Sequence, residues 1–297
     1  MLSTVTRLIW IASDQLCTIR CVSQRNFLKR ALLVESQRYS SNKRGRHHEN
    51  IGRRDPRRAM RGQVMTAQQN FDYFLVLDFE ATCEQNAKIQ PVQEIIEFPV
   101  VQLCAKTLNE VARFHEYVRP TERPILTSFC SNLTGIVQEM VDKQLTLPDV
   151  LSKFNRWLCE RKLIDSESGS RATDSWTFVT CGDWDLGTML PGEANFRNIH
   201  LPSYFDKWIN LKKAYCNAKG YFPRSLMQML NDERIPHTGR LHSGIDDVLN
   251  ICAVLRVLSK DGFVFENTSY LTNGVVSGQR TPLFGERRRT GRRGIPT

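Results

Sequence analysis

The stretch at 74–82 constrains the fold more than any other part of this 297-residue chain. Its first four residues are apolar and have the length of a short strand that is buried on both faces. Asp78 and Glu80 follow, and their spacing of two places both carboxylates on one side of an extended chain, with Phe79 pointing to the opposite side, towards a core. Two acids at the end of a buried strand repel each other, and a divalent metal ion is a simple way to neutralise them.

Strand and helix patterns alternate after this point, which is typical of an α/β domain. Three successive strand patterns predict an antiparallel meander, and a fourth, buried strand follows later. These strands are predicted at 73–79, 94–104, 112–118 and 176–181. Helical spacing of apolar residues predicts helices at 148–158, 207–219, 225–231 and 245–258.

Charge divides the chain into three parts. Residues 1–65 carry 14 Lys or Arg and 4 Asp or Glu, whereas residues 66–264 carry 21 and 25. We therefore predict a basic, largely disordered arm at 1–69, a folded domain at 70–265 and a basic disordered tail at 266–297. The arm is rich in Arg and poor in acids, which is typical of a mitochondrial transit peptide. A disordered arm in a cytoplasmic or nuclear protein is an equally good interpretation.

Several classes of protein are disfavoured by what the sequence lacks. No apolar run reaches the length of about 18 residues that a membrane-spanning helix needs. The nine cysteines are scattered and form no CxxC pair, which argues against a zinc site and against a disulfide framework. Nothing in the pattern indicates an oligomer, so we expect a monomer.

Two further groups of acids lie where an α/β sheet places its ligands. Asp183 and Asp185 follow the predicted strand at 176–181, and the carboxyl ends of strands are the usual ligand positions in open α/β sheets. His242 and Asp247 precede or begin the last predicted helix. Each group alone has an ordinary explanation, since an acid at a helix start is favoured by the helix dipole. Their combination with the acids after the first strand predicts one shared site.

This combination resembles the DEDDh superfamily of metal-dependent 3′→5′ exonucleases. The family pattern is Asp-x-Glu after the first strand, an aromatic residue followed by Asp, and His-x4-Asp before the last helix. Longer motifs at 77–83, 94–99, 180–186, 208–213 and 242–247 are similar to the Eri-type exoribonucleases. Within that branch the prion-protein-interacting member is the most similar. The resemblance covers about residues 72–265 and implies a ribonuclease H-like fold, with a mixed central sheet flanked by helices.

The resemblance also implies a reaction and its residues. The reaction is hydrolysis of the 3′-terminal phosphodiester with two Mg²⁺ ions, which Mn²⁺ can replace, about 3.5–4 Å apart. The family pattern selects Asp185 over Asp183 and Asp247 over Asp246. The implied metal ligands are Asp78, Glu80, Asp185 and Asp247. His242 is the implied general base, because an imidazole titrates near neutral pH.

The expected partner is an RNA 3′ end, either single-stranded or as a short overhang. The residues expected to contact the terminal nucleotide are Glu80, Ala81, Thr82, Trp184 and His242. Trp184 has two interpretations, core packing or stacking on a base. The basic ends would add salt-dependent attraction to a nucleic acid. Two alternatives stay open, namely a DNA 3′ exonuclease and a catalytically silent RNA-binding protein.

Overall fold

Eight strands form one mixed sheet in residues 67–173 and 175–278, the part of the chain that our computed structural model describes. In chain order they are β1 (Tyr73–Leu77), β2 (Glu80–Ala81), β3 (Ile95–Cys104), β4 (Glu110–Tyr117), β5 (Trp176–Thr180), β6 (Lys207–Asn210), β7 (Ser269–Thr272) and β8 (Val275–Gly278). Their order across the sheet is β2-β3-β1-β5-β6-β7-β8, and β4 pairs with β3. The neighbours of β5 are parallel to it, and all other pairs are antiparallel. The predicted α/β class with a mixed central sheet is confirmed.

Helices connect the strands. They are α1 (Ser128–Thr134), α2 (Gln138–Val141), α3 (Leu147–Glu160), α4 (Leu190–Phe196), α5 (Leu211–Lys219), α6 (Leu226–Asp232) and α7 (Gly244–Lys260), with a π-helix at Asp185–Met189 and a 3₁₀ turn at Ser203–Phe205. None of them, within the part described, is long and apolar enough to cross a membrane.

The sheet is buried on both faces, as the unbroken apolar run of β1 requires. On one face Leu75 and Phe98 belong to an aromatic-rich cluster that includes Phe154 of α3. On the other face Phe74 and Val76 pack in a cluster with Ile251 of α7 and its neighbours. Helices α3 and α7 cover opposite faces of the sheet. A site can therefore form at the carboxyl ends of the central strands β1 and β5.

The segment at 207–219 differs from the single helix that its pattern predicts. Lys207–Asn210 is a strand, and the helix α5 begins only at Leu211. Trp208 and Ile209 are both fully buried because β6 lies inside the sheet between β5 and β7. Asn210 ends the strand and caps α5, since its side chain accepts a hydrogen bond from the Lys213 backbone at 3.2 Å.

The segment after residue 265 also differs from the predicted tail. The strands β7 and β8 extend the sheet there, and Val276 packs against the aromatic-rich cluster. The tail beyond residue 278 and nearly all of the predicted arm at 1–69 lie outside the described residues.

Candidate active site

Asp78 follows β1 directly, at the edge of the sheet where β1 and β5 end together. These strands are parallel, and Val76 is paired in register with Val179. The side chain of Phe79 turns into the core, where it is 3 % exposed. Its backbone N–H donates a hydrogen bond of 2.9 Å to Asp185 Oδ1. The first and second acidic groups of the sequence therefore meet at this edge.

The loop after β5 carries two acids with different surroundings. Asp185 begins the π-helix and is buried beside Asp78. Asp183 lies on the other side of the loop, where its carboxylate pairs with Lys213 Nζ at 2.9 Å and accepts a hydrogen bond from Trp208 Nε1 at 3.1 Å. The fold thus brings Asp185 into the acidic group and engages Asp183 elsewhere, in agreement with the choice that the family pattern makes.

The start of α7 brings the third group to the same place. Asp247 is 8 % exposed and accepts a hydrogen bond of 3.1 Å from the His242 backbone. Asp246 instead accepts a hydrogen bond from the Arg240 backbone. His242 has a φ of 58°, a left-handed conformation that is uncommon for a residue with a side chain, and it is exposed.

Three side chains have donor atoms close enough to share one metal ion. The candidate ligand atoms of Glu80, His242 and Asp247 all lie within 4.8 Å of one another. Bonds of about 2.0–2.6 Å to a hard cation place ligand atoms at most about 5 Å apart. The carboxylates of Asp78 and Asp185 adjoin this group. A donor set dominated by carboxylate oxygen suits Mg²⁺ or Mn²⁺.

Four carboxylates, which we call the cleft cluster, lie close together and repel one another when charged. The cleft cluster comprises Asp78, Glu80, Asp185 and Asp247. Among the described residues, no Lys or Arg forms an ion pair with any of them. Burial, followed by the neighbouring carboxylates, raises the pKa of Glu80 to about 9 and that of Asp78 well above its usual range. Burial likewise raises the pKa of Asp185 to about 6 and raises that of Asp247. Each shift arises because a charged carboxylate is unfavourable in such a place.

A cleft of about 290 Å³ opens above these carboxylates. Its lining includes Asp78, Phe79, Glu80, Ala81, Cys83, Gln93, Leu133, Trp184, Asp185 and His242. Trp184 is 41 % exposed, so the interpretation that it packs in the core is wrong. It directly precedes the π-helix, and its side chain is part of the lining of the cleft.

Thr82 is the predicted contact residue that the structure does not bring to the cleft. It is 4 % exposed, and its hydroxyl accepts a hydrogen bond of 3.0 Å from the Glu94 backbone. The hydroxyl is thus used to join the end of β2 to the start of β3. Its neighbour Cys83 lines the cleft instead.

Glu97 is the residue beside the site that the sequence reasoning missed. It lies on β3, opposite Glu80 in the β2–β3 pairing, and is 1 % exposed. Its carboxylate accepts hydrogen bonds from the first residues of α7. An acid within an otherwise apolar strand was the available signal, because such an acid needs partners that the strand itself does not supply.

Comparison with known proteins places this geometry in context. A family model for exonucleases, RNase_T, matches residues 75–255. ERI1 exoribonuclease 3 of Mus musculus is 46 % identical over 212 residues, which are 71 % of this chain and 60 % of that protein. The chain thus spans about 60 % of the length of this curated relative.

Two solved structures have similar folds. One shows 3′-end-specific recognition of a histone mRNA stem-loop by a 3′-exonuclease; it has a TM-score of 0.66 and 32 % identity and covers 76 % of this chain and 77 % of its own. The other is the nuclease domain of 3′hExo, a DEDDh family member, bound to rAMP; it has a TM-score of 0.63 and 36 % identity and covers 69 % of this chain and 100 % of its own.

Proposed function

Since the chain belongs to the RNase_T family of exonucleases, we propose that it is a metal-dependent 3′→5′ exoribonuclease. It removes nucleoside 5′-monophosphates one at a time from RNA 3′ ends. Within the family we place it in the Eri-type branch, beside the prion-protein-interacting member. The motifs at 77–83 and 242–247 support this placement.

The observation that carries the proposal is the cleft cluster itself, four adjacent carboxylates that pair with no Lys or Arg of the described residues. Buried carboxylates that serve only the fold are normally paired with a cation or with several hydrogen-bond donors. The four acids here repel one another at the floor of an open cleft, and the pKa of Glu80 is raised to about 9 as a result of burial and of the neighbouring acids. A divalent cation would remove both penalties at once.

The residues fit a pair of Mg²⁺ or Mn²⁺ ions. Asp78, Glu80, Asp185 and Asp247 would hold the two ions. When bound, such ions acidify a coordinated water and stabilise the leaving 3′-oxygen. The oxygen ligands lie at the ends of strands and the starts of helices. These elements belong to the folded domain, so the ligands are oriented before a substrate arrives.

His242 would accept the proton of the attacking water. It is exposed at the mouth of the cleft, and its donor atoms lie within 4.8 Å of those of Glu80 and Asp247. Asp247 accepts the backbone N–H of His242, which holds the residue in its left-handed conformation. This geometry keeps the imidazole beside the metal ligands, and no described residue forms a hydrogen bond to its ring nitrogens.

The terminal nucleotide would enter between Trp184 and Leu133. Both line the cleft, and the exposed indole offers a face on which any base can stack. Ala81 and the carboxylate of Glu80 would contact the sugar side of the nucleotide. The cleft has a volume of about 290 Å³, which offers room for one terminal nucleotide.

RNA is the favoured substrate over DNA. The relative that is 46 % identical is named an exoribonuclease, and the 36 % identical nuclease domain was solved with a ribonucleotide bound. The Arg-rich segment at 287–293 adds positive charge that attracts either polymer. The preference for ribose over deoxyribose must therefore come from contacts inside the cleft.

The test uses the full chain and a 5′-labelled single-stranded RNA. We expect a ladder that shortens from the 3′ end in Mg²⁺ and is absent in EDTA. Asp185→Asn should abolish the ladder, whereas the matched variant Asp183→Asn, which alters an acid two residues away, should keep it.

Three outcomes would contradict the proposal. Equal loss in both aspartate variants would remove the special role of Asp185. Preferential digestion of a DNA of the same sequence would assign the enzyme to DNA. Binding of RNA without shortening in Mg²⁺ or Mn²⁺ would instead indicate a silent RNA-binding protein.

A further inference from the structure

We propose that Glu97 is a positioning residue of the active site, a role that rests on the proposed function. Its carboxylate fixes the start of α7 against the sheet. It thereby sets the positions of His242 and Asp247 relative to Asp78 and Glu80. Glu97 itself touches neither the substrate nor the reacting atoms.

The carboxylate of Glu97 forms a two-sided clamp. Oε2 accepts a hydrogen bond of 2.9 Å from the Gly244 backbone, and Oε1 accepts one of 3.2 Å from the Ile245 backbone. These are the first two residues of α7, whose N–H groups have no partners within the helix. Ser243, at the N-cap position, forms no side-chain capping bond. Glu97, 147 residues earlier in the chain, therefore takes the place of a local cap.

Close packing makes this clamp sensitive to position. A Cβ atom on Gly244 would come within 2.7 Å of the Asp78 carbonyl oxygen and 3.1 Å of Glu97 Oε2. The helix thus begins in contact with the end of β1. Glu97 is also paired in register with Glu80 across β2 and β3. The Glu97 carboxylate consequently lies where β1, β2 and α7 meet. Asp78, Glu80 and Asp247 lie on or directly beside these elements, and His242 precedes α7.

His115 supports the clamp from the far side. Its Nε2 lies 2.8 Å from Glu97 Oε1. The His115 side chain is 28 % exposed on β4, whereas the side chain of Glu97 is 1 % exposed. Among the described residues, the imidazole is the side chain that lies within hydrogen-bond distance of this carboxylate, beside its two backbone donors. It orients Glu97 much as an outer-shell group orients a metal ligand.

Glu94 supplies a matched control on the same strand region. It is 0 % exposed and accepts backbone hydrogen bonds from Thr121, Glu122 and Arg123, so it too is a buried acid that organises a backbone segment. Its partners are distant in sequence from α7 and do not include the cleft cluster. Replacing Glu94 tests the loss of a buried carboxylate without disturbing the start of α7.

The test compares Glu97→Gln with Glu94→Gln in the full chain. It measures the melting temperature, Mn²⁺ binding by calorimetry, and kcat and KM on single-stranded RNA. A Gln at 97 presents an NH₂ group to one of two backbone donors, so the start of α7 must shift. We expect Mn²⁺ affinity and kcat to fall by roughly 10- to 100-fold, with KM nearly unchanged. For Glu94→Gln we expect a lower melting temperature with Mn²⁺ affinity and kcat within about 3-fold of wild type.

Equal Mn²⁺ affinity in wild type and Glu97→Gln would overturn the proposal, since the clamp would then serve stability alone. If Glu97→Gln does not fold, His115→Phe removes the support and keeps both backbone bonds. That variant should weaken Mn²⁺ binding by about 3-fold or more, and unchanged binding would again overturn the proposal. A wild-type protein that binds Mn²⁺ but cleaves nothing would refute the proposed function, while the Mn²⁺ titrations would still decide the role of Glu97.

Discussion

Two groups of acids lie near the start of β3, and they differ in what balances their charge. The first is the cleft cluster. The second, which we call the Arg197 cluster, comprises Glu94, Glu193 and Arg197. Arg197 pairs with Glu94 at 2.6 Å and with Glu193 at 2.9 Å, and the Ile95 backbone donates to Glu193 at 2.7 Å. Arg197 thus neutralises the two acids of its cluster, whereas no Lys or Arg in residues 67–173 and 175–278 pairs with the cleft cluster.

The comparison separates a structural use of buried acids from a chemical one. Burial raises the pKa of Glu193, but hydrogen bonds from Ile95 and Arg197 oppose that shift. For Glu80, burial and the neighbouring acids all act in the same direction. Burial alone is therefore a poor indicator of function. The informative property is a buried acid whose neighbours increase the cost of its charge.

The largest expected effect comes from the cleft cluster. Asp247→Asn should lower kcat by about 10²–10³-fold or more, because a ligand charge is lost where the reaction develops charge. The same change should raise the melting temperature of the metal-free protein, since one repelling carboxylate is removed. Steady-state kinetics and scanning calorimetry in EDTA check the two results. Asp246→Asn is the control, and a comparable loss of kcat in it would break the comparison.

A change in the Arg197 cluster should lower stability and leave catalysis unchanged. Arg197→Met leaves two buried carboxylates without their cation and should lower the free energy of unfolding by about 3 kcal/mol. The kcat per folded molecule should stay near wild type. Urea unfolding and active-site titration measure these quantities. Arg156→Met, at an exposed arginine of α3, should change stability by less than about 0.5 kcal/mol. A loss of kcat in Arg197→Met would show that the two clusters are coupled.

Metal ions and pH should act on the stability of the cleft cluster. The raised pKa values, about 9 for Glu80 and about 6 for Asp185, mean that these groups bind protons more tightly in the folded state. Stability of the metal-free protein should therefore fall as pH rises from about 5 to about 9. Mg²⁺ must displace those protons, so its stabilisation, about 2.7 kcal/mol at 100 times Kd, should grow over the same interval. Thermal melts with Mg²⁺ or EDTA test this, and a metal effect independent of pH would argue against ligation by these acids.

The smallest expected effect concerns Asp183. Burial raises its pKa, but hydrogen bonds from Ser269 and Lys213 outweigh that effect, so the pKa is lowered. Its ion pair therefore contributes stability at neutral pH, which is lost as pH falls through the folded-state pKa. Because the side chain is 30 % exposed, Asp183→Asn should cost only about 1 kcal/mol. Chemical denaturation at pH 7 and pH 3 measures this cost, and a larger cost at the lower pH would contradict it.

Much of the site was predictable from local pattern. The apolar run before Asp78, the acids after the strand at 176–181 and the His-x4-Asp spacing are all visible in the sequence, and the structure brings these groups to one edge. Trp184 was ambiguous because an aromatic residue after a strand suits a core or a cleft equally well. The structure places the indole in the lining of the cleft, where it is 41 % exposed.

Local pattern was sufficient to predict the class of fold and the acids that meet, since strand ends and fixed spacings are local properties. The tertiary structure decided which acids are balanced by cations, because Arg197 reaches Glu94 across 103 residues. It also decided that Lys207–Asn210 is a strand, since a buried position beside β5 outweighs helical spacing. It gave Glu97 its partners, for only the packing of α7 onto β3 places two unpaired N–H groups beside that carboxylate. Charge balance and capping depend on which segments meet in space, and that information is not contained in any short stretch of chain.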